Sequence, residues 1–121
     1  DMGKRIMENP EIIEEGFQPI KREKNMDFGF IDIYGKDKNN QHVVIELKRR
    51  RVGPEAVSQL KRYVDEFKET VNQEKVRGIL VSPSITESTK NLIEKEELEH
   101  ITLKAKPLKE HNMNEKTLDE F

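Results

Sequence analysis

The chain has 121 residues, 33% of them hydrophobic and 38% charged, and its 22 basic and 24 acidic side chains give a net charge of −2. This length predicts one domain, and the near-neutral balance means that any affinity for nucleic acid must come from local clusters of charge. The absence of cysteine excludes disulfides and thiolate nucleophiles, and His42, His100 and His111 have no zinc-site spacing. No apolar run could span a membrane or resembles a signal peptide, so we expect a soluble protein of the cytoplasm.

The first half of the sequence predicts helical turns followed by three strands. In chain order its elements are a helical piece before Asn9, a second from Pro10 to Gly16, extended segments at 17–24 and 28–34, a hairpin loop at 36–41 and a strand at 43–48. Side chains alternate between the faces of a strand, which divides the residues of the two hairpin strands. Phe30, Asp32 and Tyr34 share one face with Ile31 and Ile33 opposite, and Val44, Glu46 and Lys48 share one face with Val43, Ile45 and Leu47 opposite.

The second half alternates helices with strands. Apolar residues recur every three or four positions after Gly53-Pro54, which predicts an amphipathic helix of about five turns. The later elements are a buried strand at 76–81, a helix from Ser84 or Thr86 to about Leu98, a strand at 101–103 and a flexible tail at 107–121. The order α-β-β-β-α-β-α-β predicts a mixed α/β sheet flanked by helices, in one domain of residues 1–106.

Asp32 and Glu46 are acids in apolar strands, where an unpaired buried carboxylate is costly. If the two strands are hairpin neighbours, both carboxylates reach one face near the same level and repel each other. Lys48, on the same face as Glu46, supplies one positive charge, and a divalent ion would supply more. Oxygen ligands favour Mg²⁺ or Mn²⁺ over Zn²⁺, and such an ion can activate water for phosphodiester hydrolysis. The spacing alone equally allows an ion pair of Asp32 with Lys48 beside a solvated Glu46.

The residues resemble the PD-(D/E)XK nuclease motif, in which an acid on one strand precedes an acid-x-Lys sequence on the next. The longer string is similar to the catalytic domain of the archaeal mismatch-specific endonucleases, the EndoMS or NucS family, over about residues 3–105. Its matching segments are Asp32-Ile33-Tyr34-Gly35, Val43-Val44-Ile45-Glu46-Leu47-Lys48-Arg49-Arg50 and Gln59-Leu60-Lys61-Arg62-Tyr63. The resemblance implies a restriction-endonuclease-like core, Mg²⁺-dependent cleavage with Mn²⁺ as a substitute, and double-strand breaks beside mismatched base pairs of DNA.

The resemblance also implies a role for each residue of the motif. Asp32 and Glu46 would be metal ligands, and Leu47 would offer its backbone carbonyl to the same ion. Lys48 would be the catalytic lysine. Gln59 would support the site from the helix, one turn before Tyr63; a surface glutamine and a core tyrosine are the simpler interpretation of that pair.

Family members of this kind carry a further amino-terminal domain that dimerises and helps to hold flipped mismatched bases, and we expect this domain to be absent here. We therefore expect this chain to be a monomer, whereas a full-length member would be a dimer. Without the amino-terminal domain, selectivity for mismatches can be lost. The family site also uses an acid from the first helix, which lies either upstream of Asp1 or among Glu8, Glu14 and Glu15.

Two charged segments predict partners. The basic residues that follow the motif form either a rim for DNA phosphates or a solvated charged surface; they are Arg49, Arg50 and Arg51, with Lys61 and Arg62 on the next helix. The tail from Glu115 to Phe121 resembles a sliding-clamp-binding peptide with Leu118 and Phe121 as apolar anchors, or else is a disordered acidic end. The alternative functions are a Holliday-junction resolvase or repair exonuclease with the same core, and a noncatalytic DNA-binding module.

Overall fold

The computed structural model describes residues 1–27 and 29–104, which form a five-stranded sheet with helices packed against it. In chain order the elements are α1 (Met2–Glu8), a 3₁₀ turn (Pro10–Ile12), β1 (Gln18–Met26), β2 (Gly29–Lys36), β3 (His42–Leu47), α2 (Pro54–Val71), β4 (Arg77–Ser82), α3 (Glu87–Lys95) and β5 (Glu99–Thr102). The predicted order and the mixed α/β class are confirmed. Within the described ranges, no helix combines the length and the apolar character that a membrane crossing requires.

The strands lie side by side in the order in which they occur in the chain. β1, β2 and β3 form an antiparallel meander, whereas β4 and β5 run parallel to β3 and to each other. Parallel neighbours need a crossover, which α2 and α3 supply. The tight loop before β3 is closed by Asp37, whose carboxylate accepts the N–H groups of Asn39 and Gln41 at 2.9 Å each.

Each face of the sheet carries its own apolar cluster, because β3 and β4 are buried on both sides. On one face Val44 and Leu80 pack under α2, through Leu60, Tyr63 and Phe67 among others. On the opposite face the cluster is formed by Val43, Ile45, Ile79 and Val81 of the sheet with Met2, Ile6, Ile13 and Phe17. Helix α2 therefore has a fixed position over β3.

Two predicted helical segments are shorter in the structure. The segment after Pro10 is a single 3₁₀ turn rather than a helix to Gly16, because Glu14 leaves the helical path to bind Arg77 at 2.8 Å. Helix α3 begins at its Thr86 cap as expected but ends at Lys95. There Glu97 adopts a left-handed φ of 61°, and Leu98 donates its N–H to the Ile93 carbonyl. This Schellman motif turns Leu98 back into the core.

The prediction that Ile31 and Ile33 share a face is wrong. Ile31 packs in the α2 cluster, whereas Ile33 packs in the cluster on the other side of the sheet. Glu23, which lies on β1 between the partners of Ile33 and Ile31, has a left-handed φ of 52°. A left-handed residue breaks the regular alternation of an extended pair.

Candidate active site

Strands β2 and β3 separate at the predicted site. Their paired residues run from Lys36↔His42 to Ile33↔Ile45, and Asp32 and Glu46 are the next residues on the two strands. The Asp32 Oδ2 atom accepts the N–H of Leu47 at 2.8 Å, so a side chain joins the strands where the ladder has ended. Two carboxylates therefore stand at the mouth of the gap between the strands.

Glu46 is buried and incompletely compensated. It is only 4% exposed, and its Oε1 atom is enclosed without a hydrogen-bond partner among the described residues. Burial, followed by the negative charge of Asp32, raises the pKa of Glu46 to about 8, although Lys48 acts in the opposite direction. The Lys48 Nζ atom lies 4.0 Å from Glu46 Oε2, at the outer limit of an ion pair. An uncompensated buried carboxylate of this kind is typical of functional sites.

Lys48 is held from α2. Its ammonium donates to Gln59 Oε1 at 3.3 Å, and Gln59 Nε2 in turn donates to the Tyr63 hydroxyl at 3.4 Å. Gln59 and Tyr63 are four residues apart and so lie on one face of the helix. The backbone of Lys48 is fixed as well, because its N–H donates to the Val81 carbonyl of β4 at 2.8 Å. Helix and sheet together orient the lysine.

An open cavity of about 590 Å³ adjoins the lysine. Its walls are the loop after β3 and the first turns of α2; the lining residues are Lys48, Val52, Gly53, Glu55, Ala56, Ser58, Gln59 and Arg62. The cavity thus exposes Lys48, whose side chain is 35% accessible, while Glu46 stays buried behind it. The site is open to a large ligand on the lysine side.

The structure brings together four predicted site residues, namely Asp32, Glu46, Lys48 and Gln59. The exposed residues Arg49 to Arg51 follow directly at the same edge of the sheet. Lys61 does not join this group, because it pairs with Asp65 at 3.3 Å and lines a cavity against α3 instead. Arg62 takes the corresponding place beside Gln59 in the open cavity.

Glu14 lies away from the two acids. Its carboxylate binds Arg77 at the start of β4, whereas Glu46 lies beside Leu80, three residues further along that strand. Within the described ranges no group of three or more histidine, cysteine and acidic side chains is arranged to hold a metal ion, so the site contains two carboxylates rather than three. The candidate clamp anchors Leu118 and Phe121 lie outside the described residues.

The end of the β1–β2 hairpin also meets the site, at a contact that the sequence pattern does not predict. Gly29 has a φ of 140°, and a Cβ atom at this position would lie 2.5 Å from the Tyr63 hydroxyl. The Asp27 N–H also donates to Glu66 of α2 at 2.8 Å. The one sequence signal for this contact is a glycine at the first position of β2, since glycine within a strand often marks a close backbone approach.

Comparison with known proteins adds the family. The model described as "Endonuclease NucS C-terminal domain" matches residues 1–121. Endonuclease NucS of Pyrococcus horikoshii is 55% identical over 124 residues, which cover 100% of this chain and 48% of the relative. The chain therefore spans about half the length of this curated relative.

Two solved structures are also similar. The crystal structure of a repair endonuclease from Pyrococcus abyssi matches with a TM-score of 0.81 and 55% identity, covering 85% of this chain and 45% of that one. A complex of EndoMS with double-stranded DNA matches with a TM-score of 0.82 and 48% identity, covering 88% and 44%. With a family model that matches its full length, the chain belongs to the Endonuclease NucS C-terminal domain family.

Proposed function

We propose that this chain is a metal-dependent endonuclease domain that hydrolyses phosphodiester bonds of double-stranded DNA beside mismatched base pairs. The observation that carries the proposal is the buried Glu46, whose Oε1 atom has no hydrogen-bond partner among the described residues, next to Asp32 and an oriented lysine. A carboxylate in this state favours either a proton or a cation, and its donor set consists of hard oxygen atoms.

A divalent ion fits these residues. When both are ionised, Asp32 and Glu46 carry two negative charges, of which Lys48, 4.0 Å from Glu46, offsets one, so a bound cation would be compensated by the other. Asp32, Glu46 and the backbone carbonyl of Leu47 would hold Mg²⁺, with Mn²⁺ as a substitute. When bound, such an ion supplies a water of lowered pKa and neutralises charge on the scissile phosphate.

The remaining steps fall to the side chains of this chain. Lys48 places a positive charge at the wall of the open cavity, where it orients the attacking water and offsets the charge that grows on the phosphate. Gln59 keeps the Lys48 ammonium from forming a closer ion pair with Glu46, because its Oε1 atom accepts a hydrogen bond from the ammonium at 3.3 Å. Asp32 is kept in one orientation by its bond to the Leu47 N–H.

DNA would lie across the open side of the cavity. Arg62 lines this side, and the exposed Arg49, Arg50 and Arg51 follow Lys48 in the chain; these side chains would contact phosphates on either side of the cut. The proposal of double-stranded DNA draws support from the EndoMS complex, and the mismatch preference draws on the resemblance to that family. Binding to a sliding clamp through Leu118 and Phe121 stays a prediction.

Cleavage assays test the proposal. The chain is incubated with mismatched, fully matched and four-way-junction duplexes in Mg²⁺ or in chelator, beside Glu46→Ala and Lys48→Ala. We expect cutting of the mismatched duplex in Mg²⁺, and a loss of about 10²-fold or more in either variant, because each removes a charge used in the transition state. Binding to DNA should stay largely intact.

Lys68→Ala is the matched control. Glu66-Phe67-Lys68 repeats the acid-x-Lys spacing on α2, where residues two apart do not face together, and Lys68 approaches Asp65 rather than the site. Its cleavage should equal that of the parent chain. Unchanged cleavage by Glu46→Ala or Lys48→Ala would reject the site, and preference for the junction would indicate a resolvase. Binding without any cleavage would indicate a recognition module.

A further inference from the structure

The first residue of β2, Gly29, lies directly against the hydroxyl of Tyr63 on α2. A Cβ atom at position 29 would lie 2.5 Å from the hydroxyl oxygen, which is closer than such atoms approach, but 3.6 Å from the Cζ atom of the same ring, which is an ordinary contact. Among the described residues, the hydroxyl oxygen is therefore the atom that excludes a side chain from position 29. Tyr63 is only 3% exposed, so the packing around its ring leaves it little room to move away.

The same hydroxyl supports the orientation of Lys48 through Gln59. An ammonium group can only donate, so its bond of 3.3 Å fixes the Gln59 amide with Oε1 toward the lysine and Nε2 toward Tyr63. Nε2 donates to the Tyr63 hydroxyl at 3.4 Å, near the upper limit of a hydrogen bond. A small displacement of the hydroxyl is therefore enough to break this bond, and the amide that holds the lysine would lose its own support.

The start of β2 is itself held against the helix. The Asp27 N–H donates to Glu66 Oε2 at 2.8 Å, and Glu66 lies about one turn after Tyr63 on α2. Gly29 lies three residues before Asp32 on the same strand. The strand that carries one acid and the helix that holds the lysine therefore meet at a residue without a side chain.

Backbone conformation alone is the simpler explanation of a glycine at this position. Gly29 has a φ of 140°, which residues with side chains rarely adopt. Gly16 has a φ of 86° as well, and a Cβ atom there would lie 2.7 Å from the Lys38 side chain, in the loop at the opposite end of β2. The two glycines differ in what they contact, because only Gly29 lies against a group that supports the lysine.

We propose that Gly29 is a positioning residue of the cleavage reaction, because its missing side chain leaves the Tyr63 hydroxyl within reach of Gln59 and so keeps the lysine oriented. This inference rests on the proposed function. Gly29 acts through Tyr63 rather than on DNA, so a side chain at this position should lower kcat and leave KM nearly unchanged. A displacement of a reacting group by about 1 Å can cost about 10²-fold in rate, and here the effect passes through two side chains, so we expect a loss of about tenfold.

A double-mutant cycle tests the inference, with kcat and KM measured on the mismatched duplex in Mg²⁺. The variants are Gly29→Ala, Tyr63→Phe and the two combined. Tyr63→Phe removes the hydroxyl oxygen and leaves the Cζ atom, at 3.6 Å, as the nearest contact of the added methyl group, so the double variant keeps the backbone strain but loses the clash. Gly16→Ala, which adds backbone strain away from the site, is the control. Thermal unfolding by circular dichroism shows whether each variant is folded.

We expect kcat to fall about tenfold in Gly29→Ala, in Tyr63→Phe and in the double variant alike, with KM within about twofold of the parent. Gly16→Ala should retain the parent kcat. Losses that multiply to about 100-fold in the double variant would mean that Gly29 acts independently of Tyr63, and would overturn the inference. A folded Gly29→Ala with the parent kcat would overturn it as well.

Glu66→Ala tests the same contact without backbone strain and decides the matter if Gly29→Ala does not fold. This change frees the Asp27 N–H, and it also removes a buried Oε1 atom that has no partner among the described residues, so the fold should tolerate it. We expect kcat to fall about threefold in the parent but not in the Tyr63→Phe background. An equal loss in both backgrounds, or no loss in the parent, would overturn the inference alone. A parent chain that does not cut DNA in Mg²⁺ would overturn the proposed function and this inference with it.

Discussion

Two groups of acidic side chains lie at different levels of the sheet, and they are compensated in opposite ways. In the first group, Arg77 makes paired contacts to Glu14 at 2.8 Å and to Glu99 at 2.7 and 2.9 Å, and it reaches Asp37 at 3.0 Å. We call these four residues the Arg77 cluster. In the second group, Asp32 and Glu46 stand together, and the Lys48 ammonium, held by Gln59, comes no nearer to Glu46 than 4.0 Å.

The pKa values follow this difference. Hydrogen bonds from Arg77 lower the pKa of Glu14. Burial raises the pKa of Asp37, but hydrogen bonds from the Gln41 N–H and from Arg77 outweigh it, so the pKa is lowered overall. Burial and Asp32 instead raise the pKa of Glu46 to about 8. Acids whose charge is compensated within the chain stabilise the fold, whereas an acid that lacks such compensation indicates a site for a cation from outside.

Removing the central arginine should give the largest effect on stability. Arg77→Met would leave three carboxylates facing one another, from the segment between the 3₁₀ turn and β1, the β2–β3 loop and β5. We therefore expect the free energy of unfolding to fall by about 2–3 kcal/mol, less than for a fully buried pair because the cluster is partly exposed. Urea unfolding measures this loss. Arg22→Met, which removes an exposed pair with Asp1 at 3.3 Å, is the control and should cost about 0.5 kcal/mol or less. Equal stability of Arg77→Met and the parent would mean that the cluster does not stabilise the fold.

The pH dependence of stability should have opposite signs in the two groups, with smaller effects than the loss of Arg77. Lowered carboxyl pKa values in the Arg77 cluster give stability that is present above the unfolded pKa and is lost as the pH falls through the folded values. The raised pKa of Glu46 gives stability that is present below its usual value of 4.5 and is lost as the pH rises through about 8.

Unfolding in urea with chelator, at several pH values, separates the two contributions. Between about pH 5 and pH 8 the free energy of unfolding of the parent should decline relative to Glu46→Gln, which has no titrating group at this position. In acid the parent should lose more stability than Arg77→Met. Parallel curves for the parent and Glu46→Gln between pH 5 and pH 8 would contradict a raised pKa at Glu46.

The predictable parts of the molecule are those with a local pattern. Alternation along β3 placed Val44 opposite Val43 and Ile45, and the three-to-four spacing after Gly53-Pro54 gave α2 its bounds. The same periodicity excludes Lys61 from the site, since it lies two residues after Gln59 and so points away from it. Charge alone had placed Lys61 in the basic rim.

Features without a local pattern could not be predicted. The Arg77 cluster joins residues separated by 63, 40 and 22 positions in the chain, so no short motif records it. Ile31 departs from the alternation of β2 opposite the left-handed Glu23 of the neighbouring strand, which no pattern within β2 records.

The central claim is that Asp32 and Glu46 together bind a divalent cation, and calorimetric titration with Mn²⁺ tests it most directly. The matched variants are Glu46→Gln at the site and Glu99→Gln in the Arg77 cluster, where the side chain is 43% exposed and compensated by arginine. We predict that the parent and Glu99→Gln bind Mn²⁺ with the same affinity, and that Glu46→Gln binds it at least about tenfold more weakly. Equal affinity of Glu46→Gln and the parent would contradict the account.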